Sequence, residues 1–208
     1  MAAVPVASEV ATRQDRRPTM LAVGTVVWLA SELMFFAGLF ASYFTIKSNA
    51  TDWPGPRVHL STARDAAFTA VLVLSSFTMQ HSVGLLRRDR KVDAARWIAL
   101  TFALGAIFLA NQLYEWTQLP FRPSTSAYGS LFFIMTGFHG LHVLFGLVAM
   151  VGLLLRIAVA GSGDRGVEPA SEVITYYWHF VDVVWIGLFV TLFFIKCCGR
   201  RRASCRSG

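Results

Sequence analysis

The chain has 208 residues, of which 55% are hydrophobic and 15% charged, and its formal net charge is +7. Soluble globular domains carry about 25% charged residues, so the composition excludes an ordinary water-soluble domain. The positive charges flank long apolar runs, which is typical of residues that set membrane orientation, and we expect no nucleic acid partner.

Five apolar runs follow one another, each near or above the roughly 20 residues that a helix needs to span a bilayer. We predict transmembrane helices at about 20–46, 66–86, 97–117, 127–156 and 172–196. The sequence lacks the short alternating segments of membrane strands. It therefore predicts an all-α membrane protein, a bundle of five transmembrane helices. That domain spans 19–197, between an N-terminal segment at 1–18 and a basic tail at 198–208.

The basic residues indicate an orientation. Ten lie on the side of the N-terminus and four in the opposite loops. They are Arg13, Arg16, Arg17, Arg87, Arg88, Arg90, Lys91, Arg96, Arg156 and Arg165, against Lys47, Arg57, Arg64 and Arg122. This predicts a cytoplasmic N-terminus and an outer C-terminus, although the basic tail opposes it. The first apolar run is too long for a signal peptide, and we expect it to remain as a spanning helix.

Turn residues and cysteines lie outside the predicted helices. The connections contain Trp53-Pro54-Gly55-Pro56, then Pro120 and Pro123, then Gly161, Gly163 and Gly166. Prolines and glycines at these places predict turns. The cysteines are Cys197, Cys198 and Cys205, all near the end of the chain. Their clustering predicts neither a disulfide framework nor a complete zinc site.

Glu32 lies near the middle of the first predicted helix, within Ser31-Glu32-Leu33-Met34-Phe35-Phe36. An ionisable group in a membrane span is costly, so it usually faces a partner, a cavity or another subunit. Two interpretations stay open. One is a carboxylic acid linked to proton or lipid binding, and the other is a hydrogen bond between helices that orients the bundle.

The fourth predicted helix carries His139 and His142, whose i, i+3 spacing places both on one face. This spacing suits two metal ligands, but a di-iron bundle needs several carboxylates and Glu-x-x-His pairs from different helices. Gly137, Gly140 and Gly146 permit close approach between helices. The pattern therefore favours packing and hydrogen bonding across an interface over metal binding.

The fifth predicted helix carries His179 and Asp182, again three residues apart, in a segment rich in Trp and Tyr. The pair is compatible with an ion pair, with a histidine oriented by a carboxylate, or with contacts to another subunit. A bis-histidine haem would need two histidines on facing helices, for example His142 and His179.

Two further charged residues lie at helix ends. Glu115 lies near the end of the third predicted helix. Arg156 at the end of the fourth suits a lipid phosphate or an ordinary snorkelling position.

Several motifs follow one another at ordered intervals along the chain. They are Ser31-Glu32-Leu33-Met34-Phe35-Phe36, Trp53-Pro54, Gln112-x-x-Glu115, Tyr128-Gly129-Ser130, Thr136-Gly137-Phe138-His139-Gly140-Leu141-His142-Val143 and Tyr177-Trp178-His179-Phe180-Val181-Asp182-Val183-Val184-Trp185. Together they resemble the cytochrome c oxidase subunit III family, from about Met20 to Ile195. The chain begins where the third helix of the seven-helix form would begin, so it resembles the five-helix bacterial type.

The resemblance implies a non-redox core subunit of an aerobic haem–copper terminal oxidase of the aa3 type, in a bacterial plasma membrane. It implies that haems and coppers belong to partner subunits and that this chain binds none. Subunit I would pack directly against it, and subunit II and other subunits would complete the complex. The family subunit is thought to support proton uptake and to protect the catalytic centre during turnover. It is also thought to hold structural phospholipids near an oxygen entry route.

The resemblance also assigns residues. Glu32 matches the family's buried helix carboxylate, and motif positions are occupied by Glu115, His139, His142, His179 and Asp182. Arg156 lies close to a family arginine near bound lipid, one residue out of register. A lipid-filled cleft of the seven-helix form would lack one wall here, because the first two helices are absent. A supercomplex with a cytochrome bc complex is compatible with this membership.

Other functions stay open at this point. The closest is a subunit III-like accessory protein of a nitric oxide reductase or a quinol oxidase. From other classes come a stand-alone membrane haem or metal enzyme that uses the histidines, and a proton-coupled carrier that uses Glu32. We expect the chain to be part of an enzyme, a proton-translocating oxidoreductase complex, and not to be catalytic alone.

Overall fold

The structure is a computed structural model that describes residues 20–50, 53, 62–119, 126–159 and 166–194. Its five helices are α1 (Met20–Asn49), α2 (Thr62–Leu86), α3 (Lys91–Gln118), α4 (Ala127–Val159) and α5 (Val167–Phe189), and α5 continues into a π-helical turn at Val190–Phe194. All five are long and apolar enough to cross a membrane, and no strand occurs in the described ranges. The predicted all-α bundle of five transmembrane helices is confirmed. The predicted turns at 54–56, 120, 123, 161 and 163, and the tail cysteines, lie outside the described residues.

The helices are longer than the apolar runs of the sequence. α3 begins at Lys91 rather than at 97, and α5 begins at Val167 rather than at 172. Helical backbone bonds do not need apolar side chains, so the helices continue into the polar interface. Asp93 lies in the first turn of α3, where the positive end of the helix dipole favours a carboxylate.

The connection between α2 and α3 is a tight helix C-cap. Asp89 has a φ of 55°, in the left-handed region that Asp tolerates better than most residues. The Arg90 amide donates to the Leu85 carbonyl at 3.0 Å, and the Asp89 amide donates to the Leu86 carbonyl at 2.9 Å. These two bonds define a Schellman motif, which reverses the chain and places α2 and α3 side by side.

The end of α2 also contacts the start of α5. Arg87 Nη2 lies 2.7 Å from Glu172 Oε1, and Arg87 Nε lies 4.0 Å from Glu168 Oε1. The hydrogen bond to Glu172 and the charges of both carboxylates raise the pKa of the Arg87 guanidinium. Arg87 therefore stays charged at any physiological pH. Because the pair is largely exposed, it contributes at most about 1 kcal/mol to folding.

Four helices form a closed ring and the fifth lies outside it. α2 contacts α3, α3 contacts α4, α4 contacts α5, and α5 contacts α2. α1 packs only against α4 and α5 among the principal helix contacts. Its buried residues Leu29, Phe36 and Tyr43 are spaced by seven, so a single narrow stripe of α1 meets the ring. The rest of α1 exposes apolar side chains such as Val27 and Met34.

Trp178 of α5 lies at the centre of the ring and is 0% exposed. A Cβ built on Gly105 of α3 would lie 2.7 Å from Trp178 Cη2, and one built on Gly146 of α4 would lie 2.8 Å from Trp178 Cε3. The indole N–H donates to Ser75 Oγ of α2 at 2.9 Å. One side chain therefore contacts the three other helices of the ring, and the two glycines make room for it.

Trp53, from the connection between α1 and α2, packs at the end of the bundle that lies opposite the α2–α3 connection. Its indole N–H donates to the Tyr43 hydroxyl at 3.2 Å, and its ring lies edge-on to Tyr43 and Tyr128, each with centroids 5.2 Å apart. The Tyr43 hydroxyl in turn donates to the Thr191 carbonyl at 3.4 Å. These contacts join α1, α4 and the π-helical end of α5.

Candidate functional site

Glu32 and His142 meet between α1 and α4. Glu32 Oε2 lies 3.2 Å from His142 Nε2, and the two side chains are 25% and 11% exposed. His142 Nδ1 lies 2.7 Å from the Phe138 carbonyl, which can only accept, so Nδ1 carries a hydrogen. The contact at Nε2 joins this imidazole of α4 to the carboxyl group of α1.

Aromatic residues of α1 and α5 hold this imidazole in place. The Tyr177 hydroxyl donates to the His142 carbonyl at 2.9 Å, and the Tyr177 ring stacks on Trp28 with centroids 5.6 Å apart. Phe36 lies edge-on to the His142 ring at 5.2 Å. The histidine is thus fixed by its neighbours, while the Glu32 side chain stays partly exposed at the outer side of the contact. The carboxylate and histidine that the sequence singles out on separate helices are thus brought together.

His179 and Asp182 of α5 are joined through a hydroxyl of α2. The Ser76 hydroxyl donates to Asp182 Oδ2, so its oxygen accepts from His179 Nδ1, which lies 3.0 Å away. The other ring nitrogen lies 3.3 Å from Gln80 Oε1. Asp182 is buried, and its Oδ1 has no hydrogen-bond partner among the described residues. Ser76 is therefore the principal donor that stabilises this carboxyl group.

Replacing Ser76 with alanine is expected to lower the free energy of unfolding by about 1 to 3 kcal/mol, because a buried carboxyl group loses its donor. The measurement is the thermal midpoint of the purified, assembled protein. Ser42→Ala is the matched control, since Ser42 is exposed and its hydroxyl donates only to the Gly38 carbonyl of its own helix. Equal midpoints for the two variants would contradict the bridging role of Ser76.

Glu115 of α3 forms a second charged cluster with the start of α2. Glu115 Oε1 lies 3.9 Å from Arg64 Nη2, and Arg64 Nε lies 3.8 Å from Asp65 Oδ1. Arg64 thus lies between the carboxyl groups of Asp65 and Glu115, within ion-pair distance of both. Both carboxyl groups are buried, and the Arg64 guanidinium offsets part of their negative charge.

His139 is 0% exposed and faces a different interface from His142. Its ring stacks on Trp185 with centroids 4.8 Å apart and meets Phe108 edge-on at 6.1 Å. Neither ring nitrogen has a hydrogen-bond partner among the described residues. The i, i+3 spacing therefore does not aim the two histidines at one ligand, because His139 points into the ring and His142 points towards α1.

Arg156 lies at the end of α4 and is exposed. Its guanidinium packs against Gly166 at the start of α5, where an added Cβ would overlap it. It thus spans the connection between the two helices. Its assignment to a lipid phosphate stays a prediction.

His142 and His179 do not face each other as the two axial ligands of a haem would. His142 contacts Glu32 of α1, whereas His179 contacts Ser76 and Gln80 of α2. Among the residues that the structure describes, no three His, Cys, Asp or Glu side chains come together as a metal site would require.

Sequence reasoning does not single out Ser76, Arg64 or Asp65. Ser76 is an ordinary small polar residue in an apolar run, and its only signal is the neighbouring Ser75. Arg64 and Asp65 lie just before the second apolar run, where the sequence alone suggests charged residues of a loop. Because α2 begins at Thr62, both residues lie in its first turn, and this places them beside Glu115.

The fold and the site define a multi-pass membrane protein whose polar side chains serve contacts between its helices. The family described as Cytochrome c oxidase subunit III matches residues 15–197. The chain belongs to this family.

Relatives from several bacteria are similar over most of the chain. A protein of Nocardia farcinica called "Probable cytochrome c oxidase subunit 3" is 48% identical over 184 residues, 86% of this chain and 90% of the relative. "Cytochrome c oxidase subunit 3" of Corynebacterium diphtheriae is 47% identical over 186 residues, with the same coverage. The protein of that name from Thermostichus vulcanus is 33% identical over 178 residues, 86% of this chain and 89% of its own length.

Proposed function

We propose that this chain is the non-redox subunit III of an aerobic cytochrome c oxidase of the aa3 type in a bacterial plasma membrane. Its role is to support oxygen reduction and proton uptake by the catalytic subunit. The observation that carries this proposal is the contact between Glu32 and His142, which joins a carboxyl group of α1 to a histidine of α4 at the partly exposed side of the bundle. The haems and coppers would lie in partner subunits.

The proposal includes the surroundings of the chain. Exposed apolar faces, above all that of α1, are available to subunit I, to subunit II and to structural phospholipids. Arg156 would contact a lipid phosphate at the end of α4. The N-terminus would be cytoplasmic and the C-terminus outside, as the basic residues of the connections favour. Association with a cytochrome bc complex is compatible with this arrangement.

Purification of the tagged chain from its native membrane in a mild detergent tests the proposal. We expect it to co-purify with a haem a-containing oxidase that uses cytochrome c. Haem or stoichiometric metal in the isolated chain would overturn it. Co-purification with a nitric oxide reductase or a quinol-oxidising complex would reassign the chain to a related complex.

A further inference from the structure

A shallow groove runs along the outer surface of α2. It has a volume of about 360 Å³ and is lined by Phe77, Gln80, His81, Gly84, Leu85 and Arg88. The spacing of these residues by three and four places them on one face of the helix. The floor is apolar, and the guanidinium lies at one end.

Gly84 leaves the middle of the groove open. In the described part of the chain, nothing outside the local helix backbone lies within 4 Å of a Cβ built there, so this glycine leaves open space in the groove. Its edges are held by neighbouring helices. The His81 ring packs against Trp97 of α3 with centroids 4.7 Å apart, and Gln80 contacts His179 of α5.

Among the residues that the structure describes, Arg88 is a cation without an ion-pair partner, whereas its basic neighbours are paired. The described basic residues around it each lie within ion-pair distance of a carboxylate: Arg87 of Glu172, Arg90 of Asp93, Lys91 of Asp89 and Arg96 of Asp93. In the part of the chain that the structure describes, Arg88 has no such partner. The Schellman motif fixes its backbone at the end of α2, directly beyond Leu85 and Leu86.

The length of the groove matches a lipid chain. From Arg88 to Phe77 the helix axis advances about 16 Å at roughly 1.5 Å per residue. One leaflet of a bilayer has about 15 Å of hydrocarbon, half of the roughly 30 Å core. An amphiphile with its head at Arg88 would therefore extend its chain along the groove to the middle of the membrane.

We propose that this groove binds an anionic phospholipid. Its phosphate pairs with Arg88, and one acyl chain lies over Gly84 and Phe77. A free guanidinium complements a net negative headgroup better than a zwitterionic one, because the latter brings a positive charge as well. The inference depends only on α2 spanning a membrane and not on the function proposed above.

Photo-crosslinking of the purified, assembled complex tests this site. The probe is phosphatidylglycerol with a diazirine in its acyl chain, and phosphatidylcholine with the same chain is the comparison. Adducts are mapped by mass spectrometry. We expect phosphatidylglycerol to label residues 77–85 preferentially. Labelling should fall about fivefold in Arg88→Gln and be largely restored in Arg88→Lys. Gly84→Leu, whose added Cβ has open space around it and whose side chain would fill the groove, should abolish labelling there.

Two matched variants keep the test specific. Gly152→Leu adds the same side chain at another glycine with open space around it, and Arg96→Gln removes a cation that is already paired. Both should label like the wild type. Equal labelling by the two lipids, or undiminished labelling in Arg88→Gln, would overturn the proposal. So would protection of residues 77–85 from both probes by another subunit.

Discussion

Trp178→Ala is expected to lower the free energy of unfolding by about 3 to 5 kcal/mol, the range for losing a large buried aromatic side chain. The indole is 0% exposed and contacts α2, α3 and α4 at once. The resulting cavity would lie between Gly105 and Gly146, and neither glycine has a side chain that could fill it. We expect the variant to be depleted from the assembled complex, as measured by subunit stoichiometry and thermal unfolding.

Trp97→Ala is the control for this prediction, because Trp97 is 36% exposed and lies on the outer side of α3. It should change the midpoint little. The reciprocal variant Gly146→Leu should also be damaging, since even a Cβ would lie 2.8 Å from the indole. Wild-type stoichiometry and midpoint in Trp178→Ala would refute the central role of this residue.

Glu32→Ala is expected to leave assembly largely intact but to shorten the active life of the oxidase severalfold at high turnover. Hydrogen bonds between membrane helices contribute on average about 0.6 kcal/mol, and α1 keeps its buried stripe of Leu29, Phe36 and Tyr43. What the variant loses is the carboxyl group in contact with His142. The measurement is the decay of oxygen consumption during continuous turnover, normalised to the amount of subunit III in the complex.

Glu32→Gln separates a proton role from a packing role. Glutamine can still hydrogen-bond to His142 but cannot bind or release a proton, so we expect it to decay as fast as Glu32→Ala. Rescue by Gln would show that the contact alone matters. Glu168→Gln is the matched control, because that carboxylate is 53% exposed at the start of α5 and should leave the decay unchanged.

The five helices were predictable because each long apolar run has a length that a bilayer dictates. The partners of the polar residues were not. Glu32 and His142 are 110 positions apart, and their contact depends on how α1 packs against α4 and α5. The local pair His179 and Asp182 was predictable as a pair, but the hydroxyl between them comes from α2. The i, i+3 spacing also did not show that His139 and His142 contact different helices. Residues three apart differ by about 60° in direction around the helix axis, which is enough for them to reach different neighbours.

The position of α1 outside the ring has a consequence for biosynthesis. α1 precedes the other four described helices in the chain, yet its principal contacts are with α4 and α5, which follow the other two. At about 5–20 residues per second, roughly 5 to 20 s pass between the synthesis of Glu32 and that of His142. During this time the Glu32 carboxyl group lies in a newly inserted helix without its contact to His142. α5 contacts α1, α2 and α4, so the contacts of this five-helix bundle are complete only when α5 has entered the membrane.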